Sequence, residues 1–89
     1  DGTSIVTKNP NLSLASLNNR KIAVLEGSGT IAILRSQIPE AQLIGVKSYQ
    51  EALVLLESEK ADGFAADDSV LAGWIKEYPQ YRLLPIALS

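Results

Sequence analysis

Four consecutive residues, Gly27-Ser28-Gly29-Thr30, have the types from which a small anion site can be built. An apolar run precedes them and a helical pattern follows, so they lie where a loop leads into a helix. Glycine lets a ligand approach the backbone closely, and a helix N-terminus presents free amides with a partial positive charge. The hydroxyls of Ser28 and Thr30 add donors, so the loop predicts a seat for a carboxylate. The alternative, which the local pattern alone favours, is that Ser28 or Thr30 caps the helix.

A second loop carries two adjacent acids, Asp67 and Asp68, between an apolar strand-like run and a helical pattern. One carboxylate can cap the helix by accepting hydrogen bonds from its first amides. The other is then free to face the open edge of a sheet, where it suits an ammonium group. An anion seat and a carboxylate at one edge fit a zwitterion, and we therefore expect an α-amino acid as the ligand.

The glycine loop does not match the nucleotide-binding patterns. A phosphate-binding loop needs lysine after its last glycine, and Thr30-Ile31 follows here. A dinucleotide fingerprint needs a third glycine, and Ala32 or Ile33 occupies that place. The loop therefore favours a small anion over a nucleotide.

Composition excludes several further classes. The 89 residues include no histidine and no cysteine, which removes the usual general base, the disulfides and the thiolate metal sites. A formal net charge of −2 provides no basic stripe for nucleic acid. No apolar run reaches the roughly 18 residues of a membrane span, and no signal peptide is visible. We expect neither an enzyme nor a nucleic-acid partner, and the sequence implies no metal and no cofactor.

Strands and helices are predicted to alternate around the two loops. Strands are expected at Thr3–Thr7, Lys21–Leu25, Ala41–Val46, Asp62–Ala66 and Tyr81–Leu88, and helices at Ile31–Ile38, Glu51–Glu59 and Val70–Tyr78, with a short helical turn capped by Ser13. Ser48 and Glu51 have capping-box spacing. This order predicts a single three-layer α/β/α domain over residues 1–89 with a mainly parallel sheet. Both loops then lie at the carboxyl edge of that sheet.

Two segments, "LASLNNRKIAVLEGSGT" and "KSYQEALVLLESEKADGFAADDSVLAGW", resemble segments of the bacterial family 3 extracellular solute-binding proteins. These are the amino-acid-binding components of ABC importers. The resemblance covers nearly the whole chain in order, and it implies the second lobe of the type II periplasmic-binding-protein fold. The chain departs from the family pattern at Asn19, at Glu59-Lys60 and at Gly29, where a hydroxyl residue is frequent.

The resemblance also implies residue roles. Ser28 and Thr30, with the loop amides around Gly29, match the positions that hold the α-carboxylate of the ligand. Asp67 matches the acid that binds the α-amino group. A first lobe, absent from this chain, is implied to supply an arginine for the carboxylate and most of the aromatic pocket.

Four other residues are interpreted as structural or surface residues rather than as ligand-binding ones. Asp62 is interpreted as structural because it begins a strand far from the marked edge. Asp68 is interpreted as a cap or a surface residue. Glu26, at the loop entrance, is interpreted as a solvated acid, with contact to a ligand side chain as the alternative. Trp74 lies on an apolar helical face, which indicates core packing.

The function implied by the resemblance is that of a ligand-binding lobe for polar amino acids, which closes on its ligand with the first lobe and delivers it to a membrane permease. The implied location is periplasmic or extracellular, with membrane anchoring through segments outside this chain as an option. The alternative is a sensing lobe of an ionotropic-glutamate-receptor-like channel or a sensor kinase. A third hypothesis, a dehydratase-like enzyme, would leave catalysis to Asp67 or Glu26 alone.

The two ends of the sequence are expected to lie side by side. The opening "DGTSIV" is typical of the interior of a chain, so we expect a domain excised from a longer protein. The segments "SIVT" and "LLPIAL" resemble the two strands that cross between lobes, and a discrete inserted lobe needs its entry and exit to be adjacent.

Overall fold

The fold alternates strands and helices as the sequence predicts. A computed structural model describes residues 2–88, with the side chains of residues 2–86. The strands are β1 (Gly2–Thr7), β2 (Lys21–Leu25), β3 (Gln42–Val46), β4 (Gly63–Asp67) and β5 (Arg82–Leu88), and the helices are α1 (Thr30–Gln37), α2 (Tyr49–Glu57) and α3 (Asp68–Glu77). A short 3-10 turn, Leu14–Ser16, begins after Ser13. The predicted elements all occur, and their ends differ from the prediction by at most two residues.

The five strands form one mixed sheet in the order β3-β2-β4-β1-β5. Strand β2 pairs in parallel with both β3 and β4, whereas β1 lies antiparallel between β4 and β5. Four strands therefore run in one direction, and only β1 is reversed. The predicted three-layer α/β/α architecture with a mainly parallel sheet is confirmed.

The reversal of β1 follows from its connection to β2. Strand β1 ends where β4 begins, with Val6 opposite Phe64, and β2 begins at that same edge, with Ile22 opposite Gly63. The connecting segment contains only a 3-10 turn. Returning the chain to the opposite edge, as a parallel pair requires, takes a crossover that is usually an α-helix, and this segment contains no α-helix.

Side chains alternate between two cores on the two faces of the sheet. On one face, Ile22 and Val24 of β2 pack with Leu34 of α1. On the other face, Ala23 packs with residues of α2 and α3. The central strand β4 is covered on both faces, with Ala65 in the first core and Phe64 in the second.

An aromatic cluster anchors α3 to the sheet. The ring of Trp74 lies 5.3 Å from that of Phe64 and 5.7 Å from that of Tyr81, measured between centroids. Trp74 is 7% exposed. The prediction that Trp74 is a core residue is confirmed.

The two ends of the described chain are adjacent. Strands β1 and β5 pair antiparallel, and Gly2 lies opposite Leu88. The expectation that entry and exit lie side by side is met for these residues, while Asp1 and Ser89 lie outside the described part. None of the helices within residues 2–88 has the length and apolarity needed to cross a membrane.

Asp62 joins the amino ends of two strands. Its Oδ2 accepts a hydrogen bond from the backbone N–H of Lys21 at 2.9 Å, and its Oδ1 lies 3.9 Å from Nη1 of Arg20. These contacts hold the start of β4 against the start of β2. The structural interpretation of Asp62 therefore agrees with its contacts.

Candidate functional site

The glycine loop forms a tight turn between β2 and α1. Gly27 has a φ of +73°, a left-handed conformation that favours glycine. The N–H of Ser28 donates to the carbonyl of Leu25 at 3.3 Å, which closes the turn. Helix α1 then begins at Thr30, with Gly29 as its N-cap and no side-chain cap. The alternative that Ser28 or Thr30 caps this helix is therefore wrong.

The surface that the glycine loop presents is mostly backbone. Gly29 is exposed, and a Cβ built there would meet nothing within 4 Å. Thr30 is only 8% exposed, and the hydroxyl of Ser28 is buried without a hydrogen-bond partner. The N–H of Ile31 donates to the carbonyl of Ser28 at 3.3 Å, whereas the N–H groups of Gly29 and Thr30 precede the first helical hydrogen bonds. An anion approaching Gly29 therefore meets those two N–H groups.

The two acids of the second loop have different environments. Asp67 ends β4 and is the N-cap residue of α3, but its carboxylate makes no capping hydrogen bond. Asp68 begins α3 and accepts a hydrogen bond from the hydroxyl of Ser4 in β1. Both acids are exposed, so Asp68 is a surface residue as interpreted. The expectation that one side chain caps the helix is wrong, because Asp67 leaves the amides open and Asp68 is held by β1.

Both loops lie at the same edge of the sheet. Strands β2 and β4 are parallel neighbours, with Val24 opposite Ala65, and each ends within two residues of that pair. Neighbouring strands are about 4.8 Å apart, so the glycine loop and Asp67 leave the sheet from adjacent positions. The prediction that Ser28–Thr30 and Asp67 share one edge is confirmed, and their ligand contacts remain a prediction.

A hollow of about 280 Å³ lies beside the glycine loop. Its lining includes Glu26, Gly27 and Ile31, with Arg35 one turn further along α1. The side chain of Glu26 leans over β3, where a Cβ on Gly45 would lie 3.0 Å from its Cγ. Glu26 is exposed to solvent, and its side chain forms part of the wall of this hollow.

A larger groove, of about 350 Å³, lies on the opposite face of the sheet between α2 and α3. Tyr49, Leu53 and Trp74 contribute to its lining. None of the predicted site residues lines this groove, and the smaller hollow is lined by their neighbours Gly27 and Ile31 rather than by the predicted residues themselves. The larger cavity therefore does not lie at the edge where the helix amides and Asp67 converge.

Sequence reasoning did not single out Thr3 and Ser4. Both lie on β1, whose six residues are all buried, and they stand opposite Asp67 and Ala66 in the ladder with β4. A signal was present, because β1 has three hydroxyl residues, Thr3, Ser4 and Thr7, and hydroxyls on a buried strand require partners. Their location could not be read without the pairing of strands far apart in sequence.

Comparisons with known proteins find amino-acid-binding proteins of similar sequence and fold. No family model matches the chain. The ABC transporter arginine-binding protein 1 of Escherichia coli (strain K12) is 29% identical over 76 residues, which are 85% of this chain and 31% of that protein. The glutamine-binding protein of Geobacillus stearothermophilus is 29% identical over 63 residues, 71% of this chain and 24% of that protein. The chain thus spans less than a third of these curated relatives.

A solved structure matches the whole chain. A periplasmic binding protein of Salmonella typhimurium with high arginine specificity superposes with a TM-score of 0.88 at 20% identity, over 100% of this chain and 40% of that one. The chain has the fold of one lobe of a periplasmic amino-acid-binding protein. The resemblance to the family 3 solute-binding proteins is therefore confirmed for this lobe. The relatives are binding proteins and not enzymes, so they give the dehydratase hypothesis no support.

Proposed function

We propose that this lobe binds a polar α-amino acid at the carboxyl edge of its sheet. The amides at the N-terminus of α1 hold the α-carboxylate, with the hydroxyls of Ser28 and Thr30 as further donors, and Asp67 binds the α-ammonium group. One observation carries the proposal: an uncapped helix N-terminus and an unengaged carboxylate follow adjacent strands at one edge.

The two groups are complementary to a zwitterion. The helix N-terminus has a partial positive charge and unpaired N–H donors, and Asp67 supplies a negative charge one strand away. In an α-amino acid the carboxylate and the ammonium are attached to the same carbon, so one ligand can span this short separation. Neither a simple acid nor a simple amine would use both.

The hollow beside the loop supports a polar ligand side chain. A molecule seated at Gly29 can extend toward Glu26 and Arg35, which offer one acidic and one basic group. The curated relatives above are named for arginine and glutamine, whose side chains are long and polar. We therefore propose a polar amino acid and leave its identity open.

The proposal includes a first lobe as the partner of this one. A ligand at this edge would be covered on one side only, whereas small-molecule sites bury most of the ligand surface. The relatives are also much longer than this chain. We propose that a first lobe closes over the ligand, that the protein works in the periplasm or outside the cell, and that it serves the permease of an ABC importer.

Calorimetry with a panel of amino acids tests the proposed seat in the two-lobed protein. Asp67→Asn should weaken binding at least tenfold, because it leaves a buried ammonium without its charged partner. Asp68→Asn is the matched control, since the neighbouring acid contacts Ser4, and it should bind like the wild type. Equal affinity of the wild type and Asp67→Asn would exclude Asp67 from the site. Chemical turnover of the amino acid would show that the two-lobed protein is an enzyme and not a binding protein.

A further inference from the structure

Three polar side-chain atoms among the described residues are buried without a hydrogen-bond partner: Oγ1 of Thr3, Oγ of Ser28 and Nε1 of Trp74. Such atoms are uncommon, because each one forfeits hydrogen bonds to water and gains none in return. Ser28 belongs to the glycine loop, and Thr3 lies next to the second loop. Two of the three unpaired atoms therefore flank the proposed seat.

Thr3 lies directly across from Asp67. The two residues are partners in the antiparallel ladder of β1 and β4, so their side chains project from the same face of the sheet with Cβ atoms about 5 Å apart. Further along this ladder, Ile5 and Ala65 point into the core beneath α1. Thr3 is 1% exposed and Asp67 is exposed, so the hydroxyl lies at depth while the carboxylate lies at the surface.

The neighbouring residue shows what a satisfied hydroxyl does at this edge. Ser4 is 2% exposed and points to the opposite face, where its hydroxyl donates to the carboxylate of Asp68. Strand β1 thus offers one hydroxyl to each of the two adjacent acids. The bond to Asp68 is formed, whereas the equivalent bond to Asp67 is not.

We propose that Thr3 is a positioning residue of the amino-acid site, whose hydroxyl donates to the carboxylate of Asp67 when that carboxylate receives the ligand ammonium. The inference rests on the proposed function. A carboxylate has two oxygens with about four acceptor sites, so one oxygen can accept from Thr3 while the other contacts the ammonium. The ligand-free lobe then carries an unpaired hydroxyl that ligand binding satisfies.

A bond that forms only with ligand gives opposite effects on stability and affinity. In the two-lobed protein, Thr3→Val keeps the shape of the side chain and removes the unpaired hydroxyl, so the unfolding midpoint without ligand should stay the same or rise. Affinity for the amino acid should fall about tenfold, because the carboxylate loses its anchor. Thr3→Ser, which keeps the hydroxyl, should bind within about threefold of the wild type.

Two further variants separate the possible outcomes. Ser4→Ala removes the hydroxyl that is already bonded, so it should lower the unfolding midpoint and leave affinity unchanged. If Thr3→Val binds like the wild type while Asp67→Asn does not, the inference is wrong and the seat stands. If Asp67→Asn also binds normally, the proposed function is wrong. If Thr3→Val and Thr3→Ser both lower stability and affinity together, Thr3 acts through packing, which overturns the inference.

Discussion

The acids of this chain differ in what their carboxylates contact. Asp62 holds the amino ends of two strands together, Asp68 accepts from Ser4, and Glu51 accepts from the N–H of Lys47 at 2.7 Å. Asp67 takes part in neither ion pair of the described side chains and does not cap its helix. Asp62, Asp68 and Glu51 thus have partners within the fold, whereas the exposed carboxylate of Asp67 is available to a ligand under the proposed function.

Glu57 and Tyr81 form the titrating pair of the fold, and they give a prediction about pH. The hydrogen bond from Tyr81, followed by the contact with Lys8 at 3.1 Å, holds the pKa of Glu57 below its ordinary value of 4.5. Burial, followed by the bond to Glu57, raises the pKa of Tyr81 above its ordinary value of 10.0. The lowered pKa of Glu57 stabilises the fold above pH 4.5, and this stabilisation is lost as the pH falls through the lowered pKa. The raised pKa of Tyr81 stabilises the fold below pH 10.0, and this stabilisation is lost as the pH rises through the raised pKa.

Tyr81→Phe should therefore flatten both arms of the stability profile. Urea midpoints measured in acid, at neutral pH and in alkali would fall less steeply at both extremes than in the wild type. The variant lacks both the hydrogen bond that lowers the pKa of Glu57 and the hydroxyl that titrates in alkali. Tyr49→Phe, at an exposed tyrosine, is the matched control and should keep the wild-type profile. Parallel profiles for Tyr81→Phe and the wild type would show that this pair does not set the pH dependence.

At the scale of elements, local patterns predict the strands and helices well and their caps less well. Ser48 caps α2 as its spacing predicts, since its hydroxyl accepts from the N–H of Glu51 at 3.1 Å. The other half of the capping box is absent, because the carboxylate of Glu51 bonds Lys47 instead. The loops before α1 and α3 contain good capping residues that do not cap. Those two ends are the ones that the proposal assigns to the ligand.

The direction of β1 was beyond local reasoning. The short β-branched segment Thr3–Thr7 predicts a strand, but such a pattern is the same for either direction of the strand. Direction depends on the connection from Thr7 to Lys21, whose 3-10 turn is too short for a crossover. The positions of Thr3 opposite Asp67 and of Ser4 beside Asp68 depend on the same strand pairing. The sequence alone therefore did not predict them.

Two glycines in the sheet and in α3 give opposite predictions. A Cβ on Gly63 of β4 would lie 2.5 Å from Cγ2 of Ile5 and 3.3 Å from the carbonyl oxygen of Val6. Gly63→Ala should therefore lower the free energy of unfolding by about 1–3 kcal/mol through overpacking. Gly73 of α3 has nothing within 4 Å of its Cβ position, so Gly73→Ala should raise that free energy by about 0.5–1 kcal/mol.

Chemical denaturation of the two alanine variants side by side decides between them. The two substitutions add the same methyl group, so differences in chemistry cancel. Equal midpoints would show that the close approach of Ile5 to Gly63 is not a constraint on the sheet.

At the scale of the whole molecule, the seat is open to water. Exposed charged contacts are worth about 1 kcal/mol or less each, whereas a dissociation constant of 1 mM already requires about −4 kcal/mol. We therefore predict that this chain alone binds amino acids with a dissociation constant weaker than about 1 mM. Closure of the first lobe removes the screening and adds contacts, so the two-lobed protein should bind one amino acid at micromolar concentration or below.

Calorimetry on the chain and on the two-lobed protein compares these affinities. Micromolar binding by the 89-residue chain would contradict the requirement for a first lobe. The same reasoning explains why the sequence leaves the ligand unnamed. Under the proposed function, this lobe holds only part of the groups around the α-carboxylate and α-ammonium, and the first lobe supplies most of the surface around the ligand side chain.

The central claim is that an amino acid binds between the N-terminus of α1 and Asp67. Amide NMR of the 15N-labelled chain, titrated with arginine or glutamine to high concentration, locates even weak binding. We predict shifts that concentrate at residues 28–31 and 67–69 and that diminish in Asp67→Asn. Shifts that instead cluster along the groove lined by Tyr49, Leu53 and Trp74, or that are unchanged in Asp67→Asn, would contradict the account.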